Sequence, residues 1–365
     1  MNSFNPILNK PALTARVGDM SQVAGVRRGF IYDGRARGVE SLDFVTGGGL
    51  EFTVLPGRGM DITAARYNGV PLCFVTKAGL ASADAYEPEG MGWLRGFFAG
   101  LLTTCGLRNV GDACDDEEPE LGVVHHGLHG RLSNTGAENV GYSAAWEGGV
   151  YRLRASGRMR EGVLHGVNMA LTRTIETSLG EKSLRIHDIA ENDGFDPQPL
   201  MLLYHINAGY PILGEASEMI LPSRGVTVDG KPDGSNGYNA FTAPVHEGPQ
   251  TVYWHDLAVK DGHTQAAIIN RELGLGLYVK FNREQLPFFM EWKRLSEGDY
   301  VVGLEPANCE AVGRVEMRRR SGLEILAPGG RKEIDIEIGV LDGEGEIARF
   351  REETEQLPQR RAETN

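Results

Sequence analysis

The chain is short of cysteine, of long apolar runs and of helical periodicity, and each shortage removes a class of protein. Its four cysteines, Cys73, Cys105, Cys114 and Cys309, stand far apart and none has a Cys-x-x-Cys spacing. Neither a zinc knuckle nor a disulfide framework is therefore expected, and a reducing compartment fits. No stretch approaches the roughly eighteen apolar residues of a membrane span. The start, Met1-Asn2-Ser3-Phe4-Asn5, lacks the basic-then-apolar pattern of a secretory signal, so a cytoplasmic protein is expected. Dinucleotide-binding and P-loop glycine patterns are missing as well, so no cofactor is expected. Basic residues are outnumbered, 37 against 50 acidic, for a formal charge of −13. That balance repels nucleic acid and anionic lipid alike, and the densest basic patch, Arg318-Arg319-Arg320, is too small to reverse it.

What the sequence does have is glycine, alternation and turns. Forty-nine glycines and 17 prolines spread along 365 residues suggest many tight turns between short strands. Ile334, Ile336 and Ile338 alternate with Glu333, Asp335 and Glu337, as a half-solvated antiparallel strand requires. The same period of two runs through Leu273–Phe281, Leu50–Val54, Tyr151–Ala155 and Val167–Leu171. An all-β protein built as a sandwich of antiparallel sheets is expected, with one domain over residues 21–342 and an N-terminal extension over 1–20. The best helical pattern is Glu344–Glu355, inside a charged C-terminal helix and tail over 343–365 that frays through Gln359-Arg360-Arg361.

Three segments carry chemistry. Val123-Val124-His125-His126-Gly127-Leu128-His129-Gly130-Arg131 gathers three imidazoles and a guanidinium among glycines. It reads as a polar pocket wall in preference to a histidine-rich surface turn. In Leu202-Leu203-Tyr204-His205-Ile206-Asn207 an apolar strand delivers His205 and Asn207 to one face; a hydrogen-bonded core histidine and a site histidine are equally good readings here. In Val301-Val302-Gly303-Leu304-Glu305-Pro306 a carboxylate ends an apolar run, either paired structurally or raised in pKa and ready to take a proton.

These segments, in this order, resemble the galactose mutarotase-like superfamily, and more closely its bacterial aldose 1-epimerase-like branch. The resemblance rests on Gly100-Leu101-Leu102-Thr103-Thr104-Cys105-Gly106-Leu107, His126-Gly127-Leu128-His129-Gly130-Arg131, Tyr204-His205-Ile206-Asn207 and Gly303-Leu304-Glu305-Pro306, and spans about residues 25–342. It implies a β-supersandwich of large antiparallel sheets and an aldose 1-epimerase, a sugar mutarotase. By resemblance Glu305 is the general base on the anomeric hydroxyl, His205 protonates the ring oxygen, His129 polarises the same region and Asn207 orients substrate hydroxyls. Opening a cyclic hemiacetal needs one proton off O1 and one onto the ring oxygen, so a base and an acid are expected to straddle the sugar. The family also carries an arginine upstream of the first histidine, a role open to Arg108 or Arg58, and an aspartate before the glutamate, for which Asp256 beside His255 is the candidate. Substrate contacts are further assigned to His126, Arg131 and Asp61, although Arg58 and Asp61 equally suit a salt-bridged turn.

Two other functions compete with this one. A metal-dependent sugar isomerase could draw ligands from His125, His129 and Glu138 or Glu305. A non-catalytic carbohydrate-binding protein could use Trp254, Trp292 and Tyr210 as stacking faces. The expected partner is a small sugar, with no nucleic acid, no membrane, no metal, and a homodimer left open; an arginine cluster at the pocket rim would indicate a phosphorylated substrate.

Overall fold

The computed structural model describes residues 9–119 and 121–357. Alternating strands dominate it, as the period-two pattern requires. Arg331–Asp342 buries Ile334, Ile336 and Ile338 and turns Glu333 and Asp335 to solvent. Leu275–Asn282, Leu50–Leu55, Val150–Gly162 and Asn168–Ser178 are strands too, close to their expected bounds.

Two eight-stranded antiparallel sheets form the body. One runs in the order Ser217–Ile220, His263–Asn270, Leu275–Asn282, Arg331–Asp342, Ser183–Asn192, Asn168–Ser178, Val150–Gly162, Ala137–Glu147. The other, the site sheet, runs Lys231–Pro232, Ser223–Val228, Gln250–Leu257, Phe288–Ser296, Asp299–Ala307, Gln198–Ala208, Glu324–Leu326, with Thr103–Leu107 also paired to Gln198–Ala208. A five-stranded sheet precedes them, from Gly25–Phe30 to Val70–Pro71. One apolar cluster joins the two large sheets through Leu277, Val279, Phe281 and Ile336 on one side and Leu202, Tyr204, Ile206, Phe289 and Leu304 on the other. Each such side chain contributes roughly 2 kcal/mol by leaving water.

Leu13, in the short helix Lys10–Thr14, joins that cluster. Helix Glu344–Glu355 sets Ile347 and Phe350 against Ile220, Ala267, Ile269 and Leu341. The Gln359–Arg361 tail lies outside the described residues. The basic patch holds a helix the pattern did not reveal, Arg314–Arg319. Among the described residues no helix is long and apolar enough to cross a membrane.

Candidate active site

Strand Gln198–Ala208 is buried from Pro199 onward, and its alternation serves two cores. Leu202, Tyr204 and Ile206 enter the cluster between the sheets, whereas Met201 and Leu203 enter a second cluster with Trp93, Phe97, Leu128 and Met290 on the other face. His205 and Asn207 share that second face, as alternation demands. The register with the next strand, Leu203 opposite Ala307 and Ile206 opposite Leu304, puts His205 directly across from Glu305.

The two side chains touch. His205 Nε2 lies 3.1 Å from Glu305 Oε1, and only 5% and 4% of the two residues is exposed. His205 Nδ1 and Glu305 Oε1 have no hydrogen-bond partner among the described residues. The pair therefore does not straddle a gap the size of a sugar; the two side chains stand side by side on neighbouring strands. The ring oxygen and O1 of a hemiacetal sit on the same carbon, so two adjacent groups can serve both.

Gly303 makes the contact possible. A Cβ there would sit 2.6 Å from Glu305 Oε1 and 3.1 Å from His205 Cε1, closer than real contacts allow. Gly303→Ala is thus expected to push the pair apart without disturbing the fold. Because misplacement by an ångström costs about 100-fold, kcat should fall by about that factor with an unchanged far-UV circular dichroism spectrum; equal kcat would show that the contact is dispensable.

Aromatic rings frame the histidine. Phe97 and Trp292 each hold a ring centre 5.2 Å from that of His205. His129, 6.2 Å from His205, packs 4.7 Å from Trp93. Its left-handed backbone (φ 56°) turns the ring back so that Nδ1 accepts the Gly111 N–H at 3.3 Å. That leaves Nε2 as the nitrogen bearing hydrogen. Asn207 donates from Nδ2 to the His205 carbonyl at 2.8 Å, while its Oδ1 is buried without a partner among the described residues.

Burial sets the charges. It lifts the Glu305 carboxyl to about 8, helped by the Glu291 carboxylate behind the sheet. It lowers His205 to about 3, with nearby His129 adding to the fall, and lowers His129 to about 4. At neutral pH the ligand-free pair thus holds one proton, on the carboxyl.

The other candidates lie elsewhere. His126 meets Glu118 at 2.9 Å and Arg314 at 3.1 Å, in a buried cluster where Arg108 also pairs with Glu118. Arg131 is exposed, its guanidinium 5.6 Å from the Tyr86 ring centre. Arg58 and Asp61 are not paired in a turn. Arg58 donates to the carbonyls of Ser133, Ala81 and Gly96, whereas Asp61 accepts from Thr104 and Arg173. His255 sits on the opposite face of the site sheet, 3.4 Å from Glu291, and Asp256 is exposed and bound by Arg224 and Arg283.

The metal ligand set does not assemble. His125 is engaged by Asp115 at 2.7 Å, Glu138 by Arg160 at 3.2 Å, and His129 by Trp93. Among the described residues no group of three potential ligands meets. Tyr210 is three-quarters exposed, but Trp254 and Trp292 border the site cluster.

The sequence reading missed two features: the Trp93 and Phe97 rings, which look like ordinary core in a short apolar run, and a buried network behind the site. In that network Arg173 binds both oxygens of Asp188, at 2.9 and 2.6 Å, and reaches Asp61 and the Thr104 hydroxyl; the Tyr204 hydroxyl donates to Asp188 at 2.7 Å.

The family described as Domain of unknown function (DUF4432) matches residues 36–340. The chain belongs to this family. No curated protein sequence matches it. Among solved structures, a candidate aldose 1-epimerase from Klebsiella pneumoniae superposes with a TM-score of 0.82 at 21% identity, covering 91% of this chain and 87% of that one. A galactose mutarotase-like protein from Clostridium acetobutylicum gives 0.61 at 14%, covering 88% and 99%. A galactose 1-epimerase from Lactobacillus acidophilus gives 0.55 at 12%, again covering 88% and 99%. This DUF4432 chain thus has the galactose mutarotase-like fold.

Proposed function

We propose that this DUF4432 protein is a sugar mutarotase, which opens and recloses a cyclic hemiacetal by acid/base transfer between Glu305 and His205. The observation that carries the reading is the 3.1 Å contact between a buried imidazole and a buried carboxyl on neighbouring strands, flanked by the rings of buried Phe97 and half-buried Trp292.

The proton count makes the pair self-contained. The pair's one proton first passes from Glu305 to His205 across their 3.1 Å contact; Glu305 then takes hydrogen from O1 while His205 gives one to the ring oxygen. The pair is then left as neutral imidazole and carboxylic acid, the state that burial favours at rest. After the C1–C2 bond rotates, His205 takes the proton back from the chain hydroxyl and Glu305 returns one to the carbonyl oxygen. Ring closure on the other face regenerates the start with no net proton exchanged. His129, bearing hydrogen on Nε2 and 6.2 Å from His205, would support the ring-oxygen region in this reading.

Exchange NMR on free aldoses tests this. Since the pair keeps one proton from about pH 3 to about pH 8, kcat/KM should stay level between those limits and drop tenfold per unit above the upper one; the apparent value belongs to the pair. No acceleration of anomer exchange for any sugar that binds would leave a binding protein instead.

A further inference from the structure

We propose that the substrate carries an oxyanion, a phosphate or a carboxylate, held at the rim of the site by Arg294 and Lys77; this rests on the mutarotase reading above. Strand Phe288–Ser296 places Met290 and Trp292 in the site cluster and Phe289 in the opposite one. Arg294, two residues past Trp292, therefore lies on the site face. It stands about 7 Å along the strand from the ring that flanks His205.

The other flanking ring leads to the second cation. The Thr76 hydroxyl donates to the Phe97 carbonyl at 2.5 Å, and Phe74 N–H donates to the Asn207 carbonyl at 3.0 Å. Lys77 follows directly, at the edge of the site. Both cations converge on one carboxylate: Lys77 Nζ lies 3.0 Å and Arg294 Nε 3.8 Å from Asp299 Oδ2.

Only Lys77 is within hydrogen-bond range. Arg294 Nε is shielded from solvent yet has no hydrogen-bond partner among the described residues. A guanidinium offers five donors in a planar fork that matches an oxyanion. Two cations against Asp299 leave one net positive charge beside the part-exposed Arg294 and Lys77 side chains. Arg108, Arg224 and Arg314 also have a buried Nε without a partner, but their terminal nitrogens donate to carboxylates; among the described residues Arg294 makes no side-chain hydrogen bond at all, and its whole fork is left for a ligand. A sugar with its hemiacetal at His205 and Glu305 would extend its far substituent past Trp292 to this cation.

Calorimetric titration of the full chain with glucose, glucose 6-phosphate and glucuronate, paired with exchange NMR on the same three, tests the inference. At least one charged sugar is expected to bind tenfold or more tightly than glucose, and the phosphate and carboxylate arms show which oxyanion fits. That preference should shrink at least tenfold in Arg294→Gln and several-fold in Lys77→Gln, whose side chain is 70% exposed and free to change without harming the fold. Charged sugars binding no better than glucose, or Arg294→Gln weakening glucose and glucose 6-phosphate equally, would overturn it. Charge-selective binding without anomer exchange supports the anion site and refutes the mutarotase reading; glucose exchange without charge preference does the reverse.

Discussion

Glu305→Gln is expected to lower kcat by about 10²–10⁴-fold, the usual contribution of a positioned general acid or base, while leaving the protein more stable in mild alkali. The amide copies the protonated carboxyl in shape, but it cannot accept the anomeric proton. The stability change has a definite sign. A carboxyl whose folded-state pKa is raised from its usual 4.5 to about 8 contributes stability that is fully present below pH 4.5. That contribution is lost as the pH climbs to about 8, because the unfolded chain releases the proton first. The Tm of the variant should therefore gain on that of the parent between pH 5 and pH 8, and the gain should level off above. Asp61 is also raised by burial, to about 6, but it is present in both proteins and cancels in the difference. A Tm gap that stayed constant with pH would mean that Glu305 is ionised in the folded chain, and the proton count assigned to the pair would be wrong.

Arg173→Met is expected to destabilise the fold by about 3–5 kcal/mol, the cost of leaving a buried charge uncompensated. Arg173, Asp188 and Asp61 are all wholly buried. Without the guanidinium, among the described residues Asp188 keeps only the Tyr204 hydroxyl and Asp61 only Thr104. Urea denaturation would register the loss as a lower midpoint at unchanged slope. Adding Asp188→Leu to Arg173→Met should recover part of it, since an apolar replacement of both partners is often nearly neutral. If the single variant unfolded at the parent's midpoint, the network would be ornamental to stability. Tyr204 precedes His205 on the same strand, so the folded fraction of the single variant should also turn over more slowly.

Much of this architecture was legible because its rule is local. Ile334, Ile336 and Ile338 announce a strand by themselves, and Pro306 marks the strand bearing Glu305 with one residue. His205 and Asn207 were predictably on one face. The contact between His205 and Glu305 is different, for it depends on pairing between strands a hundred positions apart. Nothing in either segment encodes the register that places residue 205 against residue 305. The same limit explains the scattered histidines: His126 and His129 are three residues apart, yet a left-handed turn at His129 sends one ring to Trp93 while the other meets Glu118. A buried arginine also spells like an exposed one, so Arg58 and Arg173 gave no warning that one clamps three carbonyls and the other anchors two carboxylates.

Around His205, strand Gln198–Ala208 is hydrogen-bonded along both edges, to Thr103–Leu107 on one side and to Asp299–Ala307 on the other. His205 thus rides on a strand buried from Pro199 onward and paired on both sides, the kind of element whose amides exchange with solvent only through large-scale opening. Trp93 and Phe97 come from a segment outside that strand pairing, so under the proposed function the fit of a substrate can change there without loosening the lattice that holds the imidazole.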